Sequence, residues 1–135
     1  MLLTIAATCL ALNIYHEARG QNVAGQYAVA LVTMNRAKND IDQVCPVVLK
    51  RKQFSWTNRN VRFVNGKYSL KARAVPKDMT AYGVAVVIAR EILTGRVSDF
   101  TGGATFYHEL RVHPAWRLAM TRTKVIGQHV FYRLA

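Results

Sequence analysis

Apolar and polar positions in the first forty residues follow a pattern that predicts two helices. Positions 2–19 are apolar almost all round, as in a helix that runs through a core, and Gly20 is placed to end it. A second helix is predicted from its N-cap Asn22 to about Lys38, because apolar residues recur at three- and four-residue steps. The apolar start is too short to span a bilayer and lacks the marks of a signal peptide. We therefore expect a buried helix and no secretion signal.

Local signals in the rest of the chain predict a short helix, a hairpin, a third long helix and short strands. Asp42 is expected to cap the short helix, which would contain Val44, Val47 and Val48. The pair Asn65-Gly66 is typical of a hairpin turn. Asp78 is expected to cap the long helix, which would end at Gly95. Its apolar face would hold Val84, Val87, Ile88 and Ile92. The last third is rich in glycine and aromatic residues, and it favours short strands or irregular structure.

Size and charge narrow the range of functions. The 135 residues have room for a single domain, residues 1–135, and 51% hydrophobic residues suit a packed core. Nineteen Lys and Arg against seven Asp and Glu give a net charge of +12. Nine of these cations lie between Lys50 and Lys77, a segment without any acid. Such a charge favours anionic partners: nucleic acid, an acidic membrane face or an anionic wall polymer.

Among the few carboxylates, Glu17 has the position that best suits chemistry. It falls in the last turn of an apolar helix, where burial and the negative end of the helix would both raise its pKa. A carboxyl group that is protonated near neutral pH can serve as a general acid. An ion pair with Arg19 or another arginine at the helix end is an equally weighted structural alternative.

The histidines and cysteines predict no metal site and no cofactor. His16-Glu17 begins like a zinc-binding His-Glu-x-x-His motif, but residue 20 is glycine. The spacing of the other histidines does not require a metal. Cys9 and Cys45 could pair once, although two buried thiols are the favoured interpretation.

Several motifs occur in an order that resembles a known family. They are Ile14–Gly20, Gly25–Ala30, Val44–Val48, Gln53–Trp56, Gly103–His108 and Ile126–Tyr132. Together they resemble the SleB-type cell wall hydrolases, which include spore-cortex lytic enzymes and relatives in bacteria and phages. Two features depart from the family pattern. Position 21 is Gln where the family often has an acid, and the stretch between Trp56 and Lys77 is more charged than expected.

This resemblance implies a lysozyme-like α+β domain, mainly helical, with a small β or irregular C-terminal part. It further implies an enzyme that cleaves the glycan strands of peptidoglycan, with Glu17 as the catalytic acid. The spore-cortex members act as lytic transglycosylases, which need one carboxylate. A hydrolysing muramidase is the alternative, and it would need a second acid, for which Asp99 and Glu109 are the candidates.

Substrate contacts are expected at two segments that mix aromatic rings with hydrogen-bonding groups, as sugar sites do. The expected contacts are Gln53, Ser55, Thr105 and Tyr107, with Phe54 or Trp56 supporting the groove. Core packing is the alternative role for each aromatic residue. Asn35 is expected to tie neighbouring backbone together.

A different class of function also fits the charge: a nucleic-acid-binding protein that uses Lys50–Lys77 as its footprint. However, we recognise no nucleic-acid-binding motif. In an enzyme, the same stretch would hold the protein on an anionic cell-envelope surface. Small size and positive charge suggest a monomeric phage endolysin, made in the host cytoplasm and released to the wall.

Overall fold

A computed structural model describes residues 1, 3–50 and 53–135. Leu2 and the cations Arg51 and Lys52 lie outside the described residues. The described helices are α1 (Ala6–Ala18), α2 (Val23–Arg36), α3 (Val44–Leu49) and α4 (Met79–Leu93). The described strands are β1 (Val61–Val64), β2 (Lys67–Leu70), β3 (Phe106–Glu109), β4 (Met120–Ile126) and β5 (His129–Leu134). The α+β class is confirmed, with an antiparallel hairpin β1-β2 and an antiparallel sheet in the order β3-β5-β4.

Helix α1 is the centre of the core, and it packs against α2, α3 and α4. Its middle residues, from Cys9 to Ile14, are completely buried. The helix begins at Ala6, later than predicted, because the preceding backbone pairs with the hairpin. Leu3 N donates to Tyr68 O at 2.9 Å, and Leu70 N donates to Met1 O at 2.7 Å. Over the described ranges, no helix has the length and apolarity to cross a membrane.

The predicted caps of the long helices are confirmed. The Asn22 side chain accepts from Gly25 N at 2.8 Å, and Asp78 accepts from Ala81 N at 3.0 Å. The prediction for Asp42 was wrong. A single 3-10 turn (Ile41–Gln43) precedes α3, so the cap moves to Asp40, which accepts from Asp42 N at 3.0 Å.

The prediction of the apolar face of α4 is confirmed for two of its four residues. Ile88 and Ile92 are buried, whereas Val84 and Val87 are exposed. The rest of the buried face consists of Ala85 and Ala89, which have small side chains that let α4 approach α1 closely. Alanine contributes little to a hydrophobic pattern, so the pattern alone pointed to the larger valines.

Cys9 in α1 and Cys45 in α3 form a disulfide, so the expectation of two buried thiols was wrong. The bond closes a loop with a sequence separation of 36. Such a cross-link stabilises the fold mainly by restricting the unfolded chain. The two cysteines come within bonding distance because α1 and α3 pack together. The spacing of the cysteines in the sequence does not predict that packing.

Reduction of this disulfide is expected to lower the free energy of unfolding by about 3–4 kcal/mol, the chain-entropy value for a loop of this length. The measurement is urea unfolding with and without a reductant. The double variant Cys9→Ala/Cys45→Ala is the control, because its unfolding midpoint should not respond to the reductant. An unchanged wild-type midpoint under reducing conditions would contradict the cross-link.

Candidate active site

Glu17 is held at the end of α1 by a residue of the sheet. The Tyr107 hydroxyl on β3 donates to Glu17 Oε1 at 2.6 Å. The predicted alternative, an ion pair with Arg19, does not form. Arg19 instead donates to the Tyr15 hydroxyl, and its guanidinium lies 4.5 Å from the centre of that ring. Glu17 is therefore bound by a neutral donor and remains available for proton transfer.

A cleft of about 160 Å³ opens beside this carboxyl group. It is lined by Glu17, Tyr107, His108, Glu109 and His129. Side chains alternate between the two faces of a strand, so Tyr107 and Glu109 lie on one face of β3. The register pairs Glu109 with His129 and Tyr107 with Phe131. The sheet therefore brings a second carboxylate and an imidazole to the cleft that Glu17 enters from the helical side.

The environment of Glu17 raises its pKa, in the direction that the sequence predicts. Burial is the largest cause, because it penalises the charged form. The Tyr107 hydrogen bond and the charge of Arg36 lower the pKa in part, and the charge of Glu109 raises it. Tyr107 itself stays protonated, because burial and the neighbouring Glu17 raise its pKa well above the ordinary value.

Arg36, which sequence analysis missed, organises the wall next to this cleft. It is the last residue of α2, and it donates to the carbonyl oxygen of Thr105. Its guanidinium lies 4.7 Å from the centre of the Phe106 ring. With its amide oxygen turned towards α2, Gln53 accepts from the same guanidinium. Gln53, Thr105 and Arg36 share the lining of a cavity of about 330 Å³, so two predicted substrate contacts meet there.

Phe54 and Trp56, predicted as substrate-binding residues, belong to the core. They are only 6% and 9% exposed. The Trp56 indole donates to Asn13 Oδ1 at 2.9 Å, and His16 stacks on it with ring centres 4.6 Å apart. Both rings thus support the segment from beneath. Ser55, between them, is exposed and lines neither the 160 Å³ nor the 330 Å³ cavity.

Only one of the two candidates for a second acid shares the cleft with Glu17. Asp99 accepts from Thr101 N at 2.8 Å and from Gly103 N at 2.9 Å, so it folds its own loop. Partial burial raises the pKa of Asp99, but these hydrogen bonds together lower it below the ordinary value. Asn35 donates to Asp99 at 3.2 Å and to Ala104 O at 2.8 Å, the backbone-tying role predicted for it. Glu109 is therefore the acid that can act with Glu17.

His129 is the second site residue that sequence analysis did not single out. It is 6% exposed, and its ring centre lies 5.1 Å from that of Tyr107. Burial lowers its pKa, which favours the neutral imidazole. Among the described residues, Nδ1 has no hydrogen-bond partner, and no group of three His, Cys, Asp or Glu could hold a metal ion. The register of β3 and β5 places His129 opposite Glu109. This register cannot be predicted from the spacing of residues along the chain.

Comparisons with known proteins agree with this geometry. The family described as Cell Wall Hydrolase matches residues 20–132. The fold is similar to the catalytic domain of the germination-specific lytic transglycosylase SleB from Bacillus anthracis, with a TM-score of 0.66 and 25% identity over 95% of this chain and 93% of that one. It is also similar to the catalytic domain of the SleB protein from Bacillus cereus, with a TM-score of 0.64 and 24% identity over 95% and 89% of the two chains. No curated protein matches the sequence.

Two substitutions should move the pKa of Glu17 in opposite directions. Tyr107→Phe removes a hydrogen bond that favours the carboxylate, so the pKa should rise. Glu109→Gln removes a neighbouring negative charge, so the pKa should fall. Carboxyl-carbon NMR over a pH series measures both shifts, and Glu17→Gln identifies the resonance. Shifts of the same sign in both variants would contradict this account of the site.

Proposed function

This chain belongs to the cell wall hydrolase family, and on that premise we propose that it cleaves peptidoglycan as a lytic transglycosylase. The bond cut is the β-1,4 link from N-acetylmuramic acid to N-acetylglucosamine. The observation that carries the proposal is the half-buried Glu17, with a raised pKa, bound by Tyr107 at the edge of a cleft. The lytic transglycosylase from Bacillus anthracis, which has a similar fold over 95% of this chain, adds support.

In the proposed first step, protonated Glu17 gives its proton to the glycosidic oxygen. The bond from that oxygen to the muramic anomeric carbon breaks, and an oxocarbenium-like state develops on the muramic ring. The Tyr107 hydroxyl, 2.6 Å from Oε1, stabilises the negative charge that appears on Glu17.

In the second step, the Glu17 carboxylate takes a proton from the muramic 6-hydroxyl. The 6-oxygen then bonds to the anomeric carbon, which closes an internal anhydro ring and restores the acid. One carboxyl group thus serves as acid and base in turn, which suits a chain with only seven carboxylates. The opposing influences on the Glu17 pKa suit a group that must both lose and regain a proton.

A hydrolysing muramidase is the second candidate, and the position of Glu109 in the cleft favours it. In that mechanism Glu109 would act as a base on water or as a nucleophile, and the cut would leave reducing muramic ends. Its side chain forms an ion pair with Arg111 at 3.1 Å, and both groups are largely exposed. An exposed pair of this kind is weak, so it leaves the Glu109 carboxylate available for chemistry in the cleft that it lines.

Glu17→Gln should lower the rate of digestion of purified peptidoglycan by about 10²–10⁴-fold, because it removes the general acid. Glu91→Gln is the matched control. Glu91 lies on α4 and accepts from Tyr27 at 2.8 Å, away from the cleft, so its variant should keep wild-type activity. Turbidity of a wall suspension gives the rates, and circular dichroism checks that both variants fold. Full activity of Glu17→Gln would refute the assignment.

Mass spectrometry of the released fragments decides between the two reactions. A lytic transglycosylase gives anhydro-muramic ends. In that case Glu109→Gln should give the same product and should change the rate by no more than a few fold. A muramidase would give reducing muramic ends, and its activity would be lost in Glu109→Gln. Reducing ends from the wild type would therefore refute transglycosylation and support the second candidate.

We further propose that the enzyme is a phage or prophage lysis protein that reaches the wall after release from the host cytoplasm. The net charge of +12 supports contact with an anionic envelope. The Cys9–Cys45 disulfide supports a working site outside the reducing cytoplasm.

Cells that express the protein in the cytoplasm should grow until chloroform permeabilises the inner membrane, and then lyse. The Glu17→Gln variant should not lyse them. Lysis before permeabilisation would contradict this location.

A further inference from the structure

The hairpin β1-β2 and the chain on either side of it carry an unneutralised positive surface. All described cations between positions 50 and 77 are exposed: Lys50, Arg59, Arg62, Lys67, Lys71, Arg73 and Lys77. The segment contains no acid. In the described part of the chain, the only ion pair is that of Arg111 with the cleft residue Glu109. This surface therefore favours an anionic partner.

The tip of the hairpin is apolar as well as cationic. Phe63 and Val64 are 62% and 59% exposed, and they come directly before the turn residues Asn65 and Gly66. Both turn residues have positive φ, as tight hairpin turns require, so the tip has a defined shape. The Phe63 ring has a tilted contact with Tyr68, with ring centres 4.6 Å apart. A soluble polyanion would contact the cations and would leave the two apolar side chains in water.

A groove of about 650 Å³ runs under the hairpin. Phe63 pairs with Tyr68 in the register, and both lie on the face of the hairpin that forms one apolar wall with Val61. Lys50 and Arg59 line the same groove. Apolar walls beside two cations suit an amphiphile with an anionic head, because the chain and the head each find a matching surface.

The hairpin is fixed to the rest of the protein and lies at a distance from the cleft of Glu17. Leu70 N donates to Met1 O at 2.7 Å, and Leu3 N donates to Tyr68 O at 2.9 Å, so the hairpin is tied to the segment before α1. The residues that pair with it precede α1, whereas Glu17 lies near the other end of that helix. At 1.5 Å per residue, the helix separates its first residue, Ala6, from Glu17 by about 17 Å.

We propose that the β1-β2 hairpin binds the surface of an anionic phospholipid bilayer. Phe63 and Val64 enter the interface between headgroups and acyl chains. The exposed cations of the hairpin and of the groove beneath it bind lipid phosphates: Arg62, Lys67, Lys50 and Arg59. Partial burial of apolar side chains combined with attraction to anionic lipid is the usual basis of binding at a membrane surface. The hairpin would hold the protein on a membrane while the cleft of Glu17 stays open to the wall.

Sedimentation with lipid vesicles tests the proposal. The protein should bind vesicles of phosphatidylcholine that contain phosphatidylglycerol, bind pure phosphatidylcholine far less, and dissociate as salt rises. Phe63→Ser/Val64→Ser should weaken binding to anionic vesicles by about tenfold or more. The matched control is Leu118→Ser/Val125→Ser, which removes two exposed apolar side chains outside the hairpin and should bind as the wild type does.

A second pair of variants distinguishes binding at the hairpin from a general effect of net charge. Arg62→Gln/Lys67→Gln should weaken binding to anionic vesicles more than Arg122→Gln/Lys124→Gln, which removes two exposed cations of β4. Equal losses in the two variants would show that only net charge matters and would overturn the proposal. Wild-type binding by Phe63→Ser/Val64→Ser would also overturn it, and would point to a soluble polyanion as the partner.

The test is independent of the proposed activity. Glu17→Gln should bind vesicles as the wild type does, and the hairpin variants should digest purified peptidoglycan at the wild-type rate. Unchanged thermal unfolding midpoints show that the substitutions, all at exposed side chains, leave the fold intact. A protein that binds vesicles through the hairpin without digesting walls would refute the catalytic proposal alone.

Discussion

The hydrogen bond from Tyr107 to Glu17 joins the helical part of the molecule to the sheet, and the arrangement of the cleft depends on it. The two residues lie 90 positions apart in the chain. On the helical side, α1 is fixed by the core, by the disulfide from Cys9 to α3, and by the bond from Trp56 to Asn13. On the other side, β3 pairs with β5, where the fully buried Phe131 packs against α2. Two independently anchored elements therefore meet at one carboxyl group.

The electrostatic state of Glu17 follows from how these elements meet. Burial favours the protonated acid, whereas the Tyr107 hydroxyl and the Arg36 charge favour the carboxylate. The same arginine donates to Thr105 at the start of the sheet segment, so it ties α2 to that segment while it acts on the pKa. A group that must give and regain a proton works best when neither state is strongly preferred. The contacts that hold the cleft together are thus also the contacts that adjust its chemistry.

Local features of the fold could be predicted from sequence, and features that depend on tertiary packing could not. Asn22 and Asp78 cap helices because their side chains bond amides three residues away, and that preference is visible in the sequence. By contrast, the Cys9–Cys45 bond depends on the packing of α1 against α3. In the site, Glu17 was predicted from its place at the end of an apolar helix. Tyr107 was predicted as a sugar contact, and only the fold shows that it binds Glu17.

The distribution of charge explains why a strongly basic protein can keep an acidic cleft. Most carboxylates have structural partners elsewhere: Asp40 and Asp78 cap helical turns, Asp99 binds loop amides, and Glu91 accepts from Tyr27. Glu17 and Glu109 are the two that line the cleft. Burial and the charge of Glu109 both raise the pKa of Glu17 and favour its protonated form, whereas the charge of Arg36 lowers that pKa. A protonated Glu17 therefore lowers the repulsion that the cleft would exert on an anionic glycan, at the position where the proton is needed.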